Sequence, residues 1–421
     1  MDMPARIAPT PDLPLRLALQ RAPLLGPATF RDLRAAFGAP EDWHRVSDNA
    51  LRSVVSRHQW PVLANLLASS AGDQPGVARD LAWLAEDRHY VVCIDDAAYP
   101  VLLRQVRDAP PLLFVHGELA SLRMPQLAVV GTRHPTRAGL KDCASFSKHL
   151  VGRGLAITSG LALGVDGAAH FAALDAGGVT LAVLAHGMHQ IYPARHRVLA
   201  SRIAETGALI SEFPVGVEAQ PEYFPRRNRI ISGMSLGVLV VEAAIRSGSL
   251  ITAREAMEQG REVFAIPGSI HSPLARGCHH LIRQGAKLVE TGEDIVEDLG
   301  PLLSMVLPGL SAFVRETASA LEASEGKLRR AKELAAEPET EDLFTTAEAH
   351  TPKGLQATTK PSENHDTPEG RILALLYAEP HSVDDLVERT ELGTAEINAT
   401  LMMLELEGRI VQMSGVYQAI A

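Results

Sequence analysis

The chain has 421 residues, 46% of them hydrophobic and 21% charged, with a formal net charge of −10. This length and apolar content predict a globular protein of roughly two to three domains with sizeable cores. The net charge would exclude a polyanionic partner only if it were evenly spread. Residues 1–123 carry 13 Lys/Arg against 14 Asp/Glu, residues 124–298 carry 17 against 16, and residues 299–421 carry 10 against 20. The acidity therefore sits in the last third, and a near-neutral middle can present a basic groove where its arginines converge. Pro4, Pro9, Pro11 and Pro14 interrupt the N-terminus, and no basic region leads into an unbroken apolar stretch. Neither a signal peptide nor a transmembrane segment is predicted, which gives a cytoplasmic address. Cys93, Cys143 and Cys278 form no CxxC pair, so no disulfide framework or thiolate zinc site is expected.

In chain order, Leu15 to about Ala68 is helical in pattern, and "LLGPATFRDLRAAFGAPEDW" reads as helix, Gly-Pro turn, helix and a glycine stop at Gly38. A small helical domain is assigned to residues 1–75. The glycine between its helices fits a helix-hairpin-helix that grips a phosphate backbone, and equally fits an ordinary helical turn. "YVVCI", "AAYPVLLRQV" and "PLLFVHG" then predict short strands and a helix. From Gln126 the apolar runs "QLAVVG", "LAITSG", "TLAVLAHG", "ALISEF", "GVLVVEA" and "EVFAIPG" alternate with amphipathic stretches of helix length. That alternation predicts a doubly wound α/β domain with a mostly parallel sheet, assigned to residues 76–310. Residues 311–368 lose apolar periodicity and read as a disordered linker. Residues 369–421 read as three helices and a hairpin turning at Gly415, a winged helix.

In an open parallel sheet the ligand sits outside the carboxyl ends of the strands, so the residues just after each apolar run carry the functional information. After "LAVV" come Gly131, Thr132 and Arg133, suited to close backbone approach, a hydroxyl contact and a forked contact to phosphate. The next helix would add its positive N-terminus. After "LAIT" come Ser159 and Gly160. After "GVLVVEA", Ser247, Gly248 and Ser249 open a helix with an amide-rich start. Any one of these tripeptides is equally an ordinary turn, whereas their conjunction is more specific. The stretch "FPRRNRIISG" sets Arg226, Arg227, Asn228 and Arg229 around an expected helix start that Asn228 can cap. Clustering guanidinium groups without an anion is costly. Ion pairing with Glu212 or Glu242 would account for one of these arginines but not for all three. Tyr192, Tyr223 and Phe224 are available for base stacking or for the core.

Other chemistries fit less well. A nicotinamide site would want G-x-G-x-x-G where "GTRHPT" stands and an acid where Ser159 stands, and no Walker G-x-x-x-x-G-K-[ST] occurs. His271, Cys278, His279 and His280 lack a second ligand pair at tetrahedral spacing, so no metal is expected. Asp166 and His170 are spaced i and i+4, as in an acid/base pair, though a local structural hydrogen bond is the better reading. No nucleophile and base stand out together.

"VVGTRHPT", "SGLALGVDGAAH", "AVLAHGMHQIYPARH", "FPRRNRIISG", "VVEAAIRSGSLITA" and "VFAIPGSI" together resemble, in order over about residues 90–290, the blocks of the DNA processing protein A (DprA/Smf) family. The resemblance implies an extended Rossmann-like fold, with a sterile-alpha-motif-like N-terminal unit and a winged helix. It also implies a homodimer that binds single-stranded DNA in a basic pocket, protects incoming DNA and loads RecA recombinase in natural transformation, without catalysis; no cofactor is expected. The family's pocket falls on Gly131, Thr132 and Arg133, and its arginine-rich block on Arg226, Arg227, Asn228 and Arg229. Leu163 stands where many members carry a basic residue. The rival reading is a nucleotide-processing enzyme similar to the phosphoribohydrolases, with Thr252 where their catalytic glutamate would stand. The winged helix has no Lys or Arg before Arg409 in its expected recognition helix, and residues 367–421 carry nine acids against three bases. Protein docking is therefore expected of it, in place of duplex binding.

Overall fold

The computed structural model describes residues 13–69, 72 and 74–306, together with parts of 371–419. The chain divides into two compact units, residues 1–336 and 337–421.

The first unit opens with five helices, α1 (Leu13–Arg21), α2 (Pro27–Phe37), α3 (Asp48–Val54), α4 (Trp60–Ala68) and α5 (Pro75–Leu84). Pro27 begins α2 where a missing N–H costs nothing, and Gly38 ends it at φ 77°, a conformation that favours glycine. The helices share a core of Leu17, Phe30, Leu33, Trp43 and Leu63, which runs on into Phe114 of the sheet. Polar clamps tie the helices to one another and to the sheet. Arg21 makes two 2.6 Å contacts to the fully buried Asp80 and donates to the Val215 carbonyl at 2.8 Å.

Two strands, β1 (His89–Cys93) and β2 (Leu112–Gly117), flank α6 (Val101–Arg104). The main alternation runs through β3 (Gln126–Val130), α7 (Arg137–Gly152), β4 (Ala156–Ser159), α8 (Val165–Asp175), β5 (Thr180–Val183), α9 (Arg197–Thr206) and β6 (Ala208–Ser211). It continues through α10 (Tyr223–Met234), β7 (Gly237–Val240), α11 (Ser249–Glu258), β8 (Glu262–Ala265), α12 (Arg276–Arg283), β9 (Lys287–Leu288) and α13 (Gly292–Val306). The nine strands form one sheet in the order β1-β2-β6-β5-β4-β3-β7-β8-β9. Strands β3 to β9 are parallel, while β2 joins β6 and β1 joins β2 antiparallel.

Every residue of β3 to β7 is buried, because helices cover both faces. On β3, Leu127 and Val129 meet Phe146 and Leu150 of α7, and Ala128 and Val130 meet Ile230 and Ile231 of α10. The strand order reverses at β3, whose neighbours are β4 and β7. This is the topological switch point, where the loops after adjacent strands diverge and leave a crevice. The expected doubly wound, mostly parallel, extended Rossmann-like sheet is thus present.

In the second unit, β10 (His381–Ser382), α14 (Val383–Thr390), β11 (Ile410–Met413) and β12 (Val416–Ala419) give a three-stranded antiparallel sheet in the order β10-β12-β11. Ile372, Leu376, Leu386, Ile397, Leu401 and Ile410 form its core, consistent with a winged helix. Gly415 and the expected linker lie outside the described residues. Among the described residues no helix is long and apolar enough to cross a membrane.

Candidate nucleic-acid interface

A cleft of about 400 Å³ opens at the switch point. The turn after β3 supplies Gly131, Thr132, Arg133 and His134, while α10 supplies Phe224, Arg227 and Asn228. Arg246 and Ser247 to Ser249 line it from the loop after β7 and the start of α11. Gly131 has no room for a side chain, since a Cβ there would sit 2.6 Å from Val165 Cγ2. The Thr132 amide donates to the Glu242 carbonyl at 2.7 Å, which ties the β3 turn to the end of β7.

The helix N-termini around the cleft are used differently. That of α7 was expected to face the ligand, but Glu242 occupies it. Its carboxylate accepts from the Thr136 amide at 2.8 Å and from Thr136 Oγ1 at 2.6 Å. An anion already neutralises that helix dipole. The start of α11 instead lines the cleft, with Ser247 Oγ and Ser249 Oγ 2.7 Å apart.

The arginine-rich block needs a second correction. Arg226, Arg227 and Arg229 do not surround a helix start, because α10 begins at Tyr223 and places all three inside it. Pro225 is tolerated because it lies in the first turn, where backbone N–H groups have no intrahelical acceptor. Asn228 therefore caps nothing. It accepts from Arg227 Nε at 3.2 Å and reaches the Gly248 carbonyl at 3.5 Å.

Residues on one helix at this spacing point in different directions, and the three arginines separate. Arg229 is buried between Glu212 at 2.6 Å and Asp108 at 2.9 Å. Arg226 is half-exposed, 3.8 Å from the same Glu212, with its guanidinium over the Phe213 and Tyr223 rings. Glu212 thus serves two of the three arginines, and Glu242 serves none.

Arg227 alone turns into the cleft. It is 4% exposed, and its Nη1 donates to the Gly160 and Val183 carbonyls, each at 2.6 Å. Among the described residues no carboxylate lies within ion-pair distance of it. Burial pushes its pKa down to about 10, against the opposing pull of the Asp166 charge. A cation held by neutral acceptors on the floor of a cleft favours an incoming anion.

Ser159 and Gly160 belong to the support of the cleft and do not line it. Ser159 Oγ donates to the Val129 carbonyl at 2.7 Å. A Cβ on Gly160 would collide with the Arg227 guanidinium, so glycine there admits that side chain. The Gly160 and Ala162 amides donate to Asp166 Oδ2 at 3.1 and 3.4 Å. Burial raises the Asp166 carboxyl, opposed by Arg227 and these amides. The expected hydrogen bond between Asp166 and His170 is not made. His170 Nδ1 instead pairs with Thr180 Oγ1 at 2.6 Å, and burial pushes its pKa down to about 3.

Arg133 is exposed, with its guanidinium 5.4 Å from the Phe224 ring centroid, and Tyr192 packs edge-on to Phe224 at 6.1 Å. Tyr223 lies on the other side, tilted against Phe213 at 4.5 Å. Leu163 is partly exposed beside Gly164, whose φ of 81° lets the chain pass closely under Thr132 and Arg133. Sequence reasoning missed Arg246, an exposed third arginine of the cleft. It stands directly before the Ser247 to Ser249 helix start, but no local signal sets it apart from a solvated arginine.

A doubly wound sheet with arginines and a helix start gathered at its switch point defines a Rossmann-like protein with a cationic strand-end cleft. Residues 90–300 match the sequence profile of DNA recombination-mediator protein A, and residues 356–416 match the DprA winged helix domain. The chain is 52% identical over 224 residues to protein Smf of Escherichia coli, a match covering 53% of this chain and 60% of that protein. It is 36% identical over 332 residues to protein Smf of a Synechocystis species, covering 76% and 77%. The crystal structure of DNA processing protein A from Streptococcus pneumoniae is similar at a TM-score of 0.59 and 35% identity, over 68% of this chain and 95% of that one. The chain belongs to the DNA recombination-mediator protein A family, as its motifs suggested.

Proposed function

We propose that the protein binds single-stranded DNA without sequence preference, protects incoming DNA and helps load RecA recombinase onto it during natural transformation. It acts as a non-catalytic homodimer in the cytoplasm, with phosphates entering between Gly131 to Arg133 and Ser247 to Ser249. The observation that carries this reading is Arg227, a buried guanidinium on the cleft floor held by two carbonyls and, among the described residues, by no carboxylate. Exposed Arg133 and Arg246 at the mouth add the long-range attraction that a polyanion follows. Phe224 and Tyr192 beside Arg133 favour a single strand, whose unstacked bases can reach an aromatic face. A dimer would double a contact area that is small in one copy.

The rival enzyme reading has less support. Thr252 lines the cleft in place of a catalytic glutamate. Among the described residues Asp166 is the one carboxylic acid in the cleft lining, and it is engaged by backbone amides. Gel shifts with single- and double-stranded oligonucleotides test the proposal on wild type, Arg133→Ala and Arg227→Ala. Preference for single strands, weakened in both variants, is expected; equal affinity for both DNA forms, or no loss in either variant, would overturn it. Free base released from nucleoside monophosphates would favour the enzyme.

A further inference from the structure

A second cavity, of about 690 Å³, lies on the other side of the first turn of α10. Its near wall is Tyr223, Pro225 and Arg226, and its far wall is the α1–α2 turn from Ala22 to Gly26 in the helical unit. The two cavities share a motif. In the cleft, a guanidinium (Arg133) lies 5.4 Å from the Phe224 ring, and in the groove another (Arg226) lies 5.8 Å from the Tyr223 ring. Phe224 and Tyr223 are consecutive, so a chain passing from one cavity to the other crosses only the exposed start of α10.

Two further observations mark the groove as a binding surface. Leu24 is 61% exposed and held at φ 72°, a backbone region that a leucine rarely adopts. It lines the same cavity as Tyr223. Arg229, 5% exposed at the back of the groove, has its Nη1 without a hydrogen-bond partner among the described residues. Two acids also line the groove. Asp108 is engaged by Arg229 Nε at 2.9 Å. Glu255 has its carboxyl raised by burial first, then by Asp108 and Glu258. Arg226 keeps its charge available, because the carboxylate 3.8 Å away already holds Arg229 at 2.6 Å.

We propose that this groove is a second subsite for single-stranded DNA: a strand leaving the cleft crosses the start of α10, sets a phosphate against Arg226 and lays a base between Tyr223 and the Leu24 turn. The helical unit is then one wall of the DNA path. The groove subsite rests on single-strand binding in the cleft.

The test is fluorescence anisotropy of the full chain with oligo(dT) of increasing length. Wild-type affinity is expected to rise again once the oligonucleotide outgrows the cleft. Arg226→Ala and Leu24→Glu, both at exposed positions, should each remove about tenfold of that later gain and leave the shortest binding oligonucleotide unaffected, the scale of one stacked base or one phosphate contact. Arg133→Ala should weaken every length. Wild-type behaviour of both groove variants at all lengths, or an equal loss at all lengths, would overturn the groove while leaving the cleft intact. Wild-type behaviour of Arg133→Ala would overturn the cleft and the groove together.

Discussion

Arg227 and Arg229 stand two positions apart on one helix, and both are at most 5% exposed, yet they occupy opposite electrostatic situations. Arg229 lies between Glu212 and Asp108 and ties α10 to the end of β6 and to the loop before β2. Among the described residues Arg227 meets only carbonyl and amide oxygens, and it faces the cleft. A buried cation with its carboxylates in place is part of the architecture, and on the proposed reading one without them is left for an anion. The comparison shows that clustering of charge in sequence is a poor guide to binding until the distribution of counter-charges is known.

The largest expected effect tests the architectural half. Arg229→Met leaves Glu212, 1% exposed, without its close partner, and should cost ~3–5 kcal/mol of stability. Chemical denaturation would measure it, and the folded fraction should still bind oligonucleotide. Arg227→Met should do the reverse. Its lost hydrogen bonds and the relieved burial of charge oppose each other, so stability should change little, while single-strand affinity falls by about a hundredfold, the weight of a charged contact in a desolvated site. If Arg227→Met unfolds the protein and Arg229→Met abolishes binding, the comparison is inverted and the assignment fails.

A third, smaller effect uses pH. His170 is neutral in the folded state, its pKa pushed from 6.5 to about 3 by burial first, then by His196 and Arg227. The unfolded chain takes up that proton below about 6.5 and the folded chain does not. Stability should therefore be intact above pH 6.5 and fall as pH drops toward 3, by at most ~1.4 kcal/mol per pH unit for this group. Thermal melts across that range should show the slope, flattened in His170→Gln. In Arg227→Met the decline should still begin near pH 6.5 but level off at a higher pH, because one positive neighbour is gone and the folded-state pKa moves back toward 6.5, narrowing the window from below. Arg229→Met should leave it in place. The smallest effect concerns the cleft mouth. Arg133→Ala should reduce the slope of log affinity against log salt by about one, measured by anisotropy titrations at several salt concentrations.

The apolar runs from Gln126 onward contained six of the nine strands, β3 to β8, because a strand buried on both faces has to be continuously apolar and its ends have to be turn residues. The same reasoning found the Gly131 to Arg133 turn and the Ser247 to Ser249 helix start, since both come soon after their strands. Gly160 was legible as a strand end but not in its role, which is to leave space for a side chain 67 residues away. Arg246 sat within a quoted motif, but nothing local separates a cleft arginine from a solvated one.

The sequence by itself determined the alternation of elements, the family and the set of residues that could meet at the switch point. Those properties come from local periodicity and from backbone rules that act over a few residues. Only the tertiary structure decided which arginine is left without a carboxylate, which helix N-terminus stays open to a ligand, and that the α1–α2 turn faces α10. Each depends on partners far apart in the chain: Glu212 and Asp108 on Arg229, Glu242 on Thr136, and Ala22 to Gly26 opposite Tyr223. Electrostatic and packing energies depend on distance in space, and folding alone sets that distance.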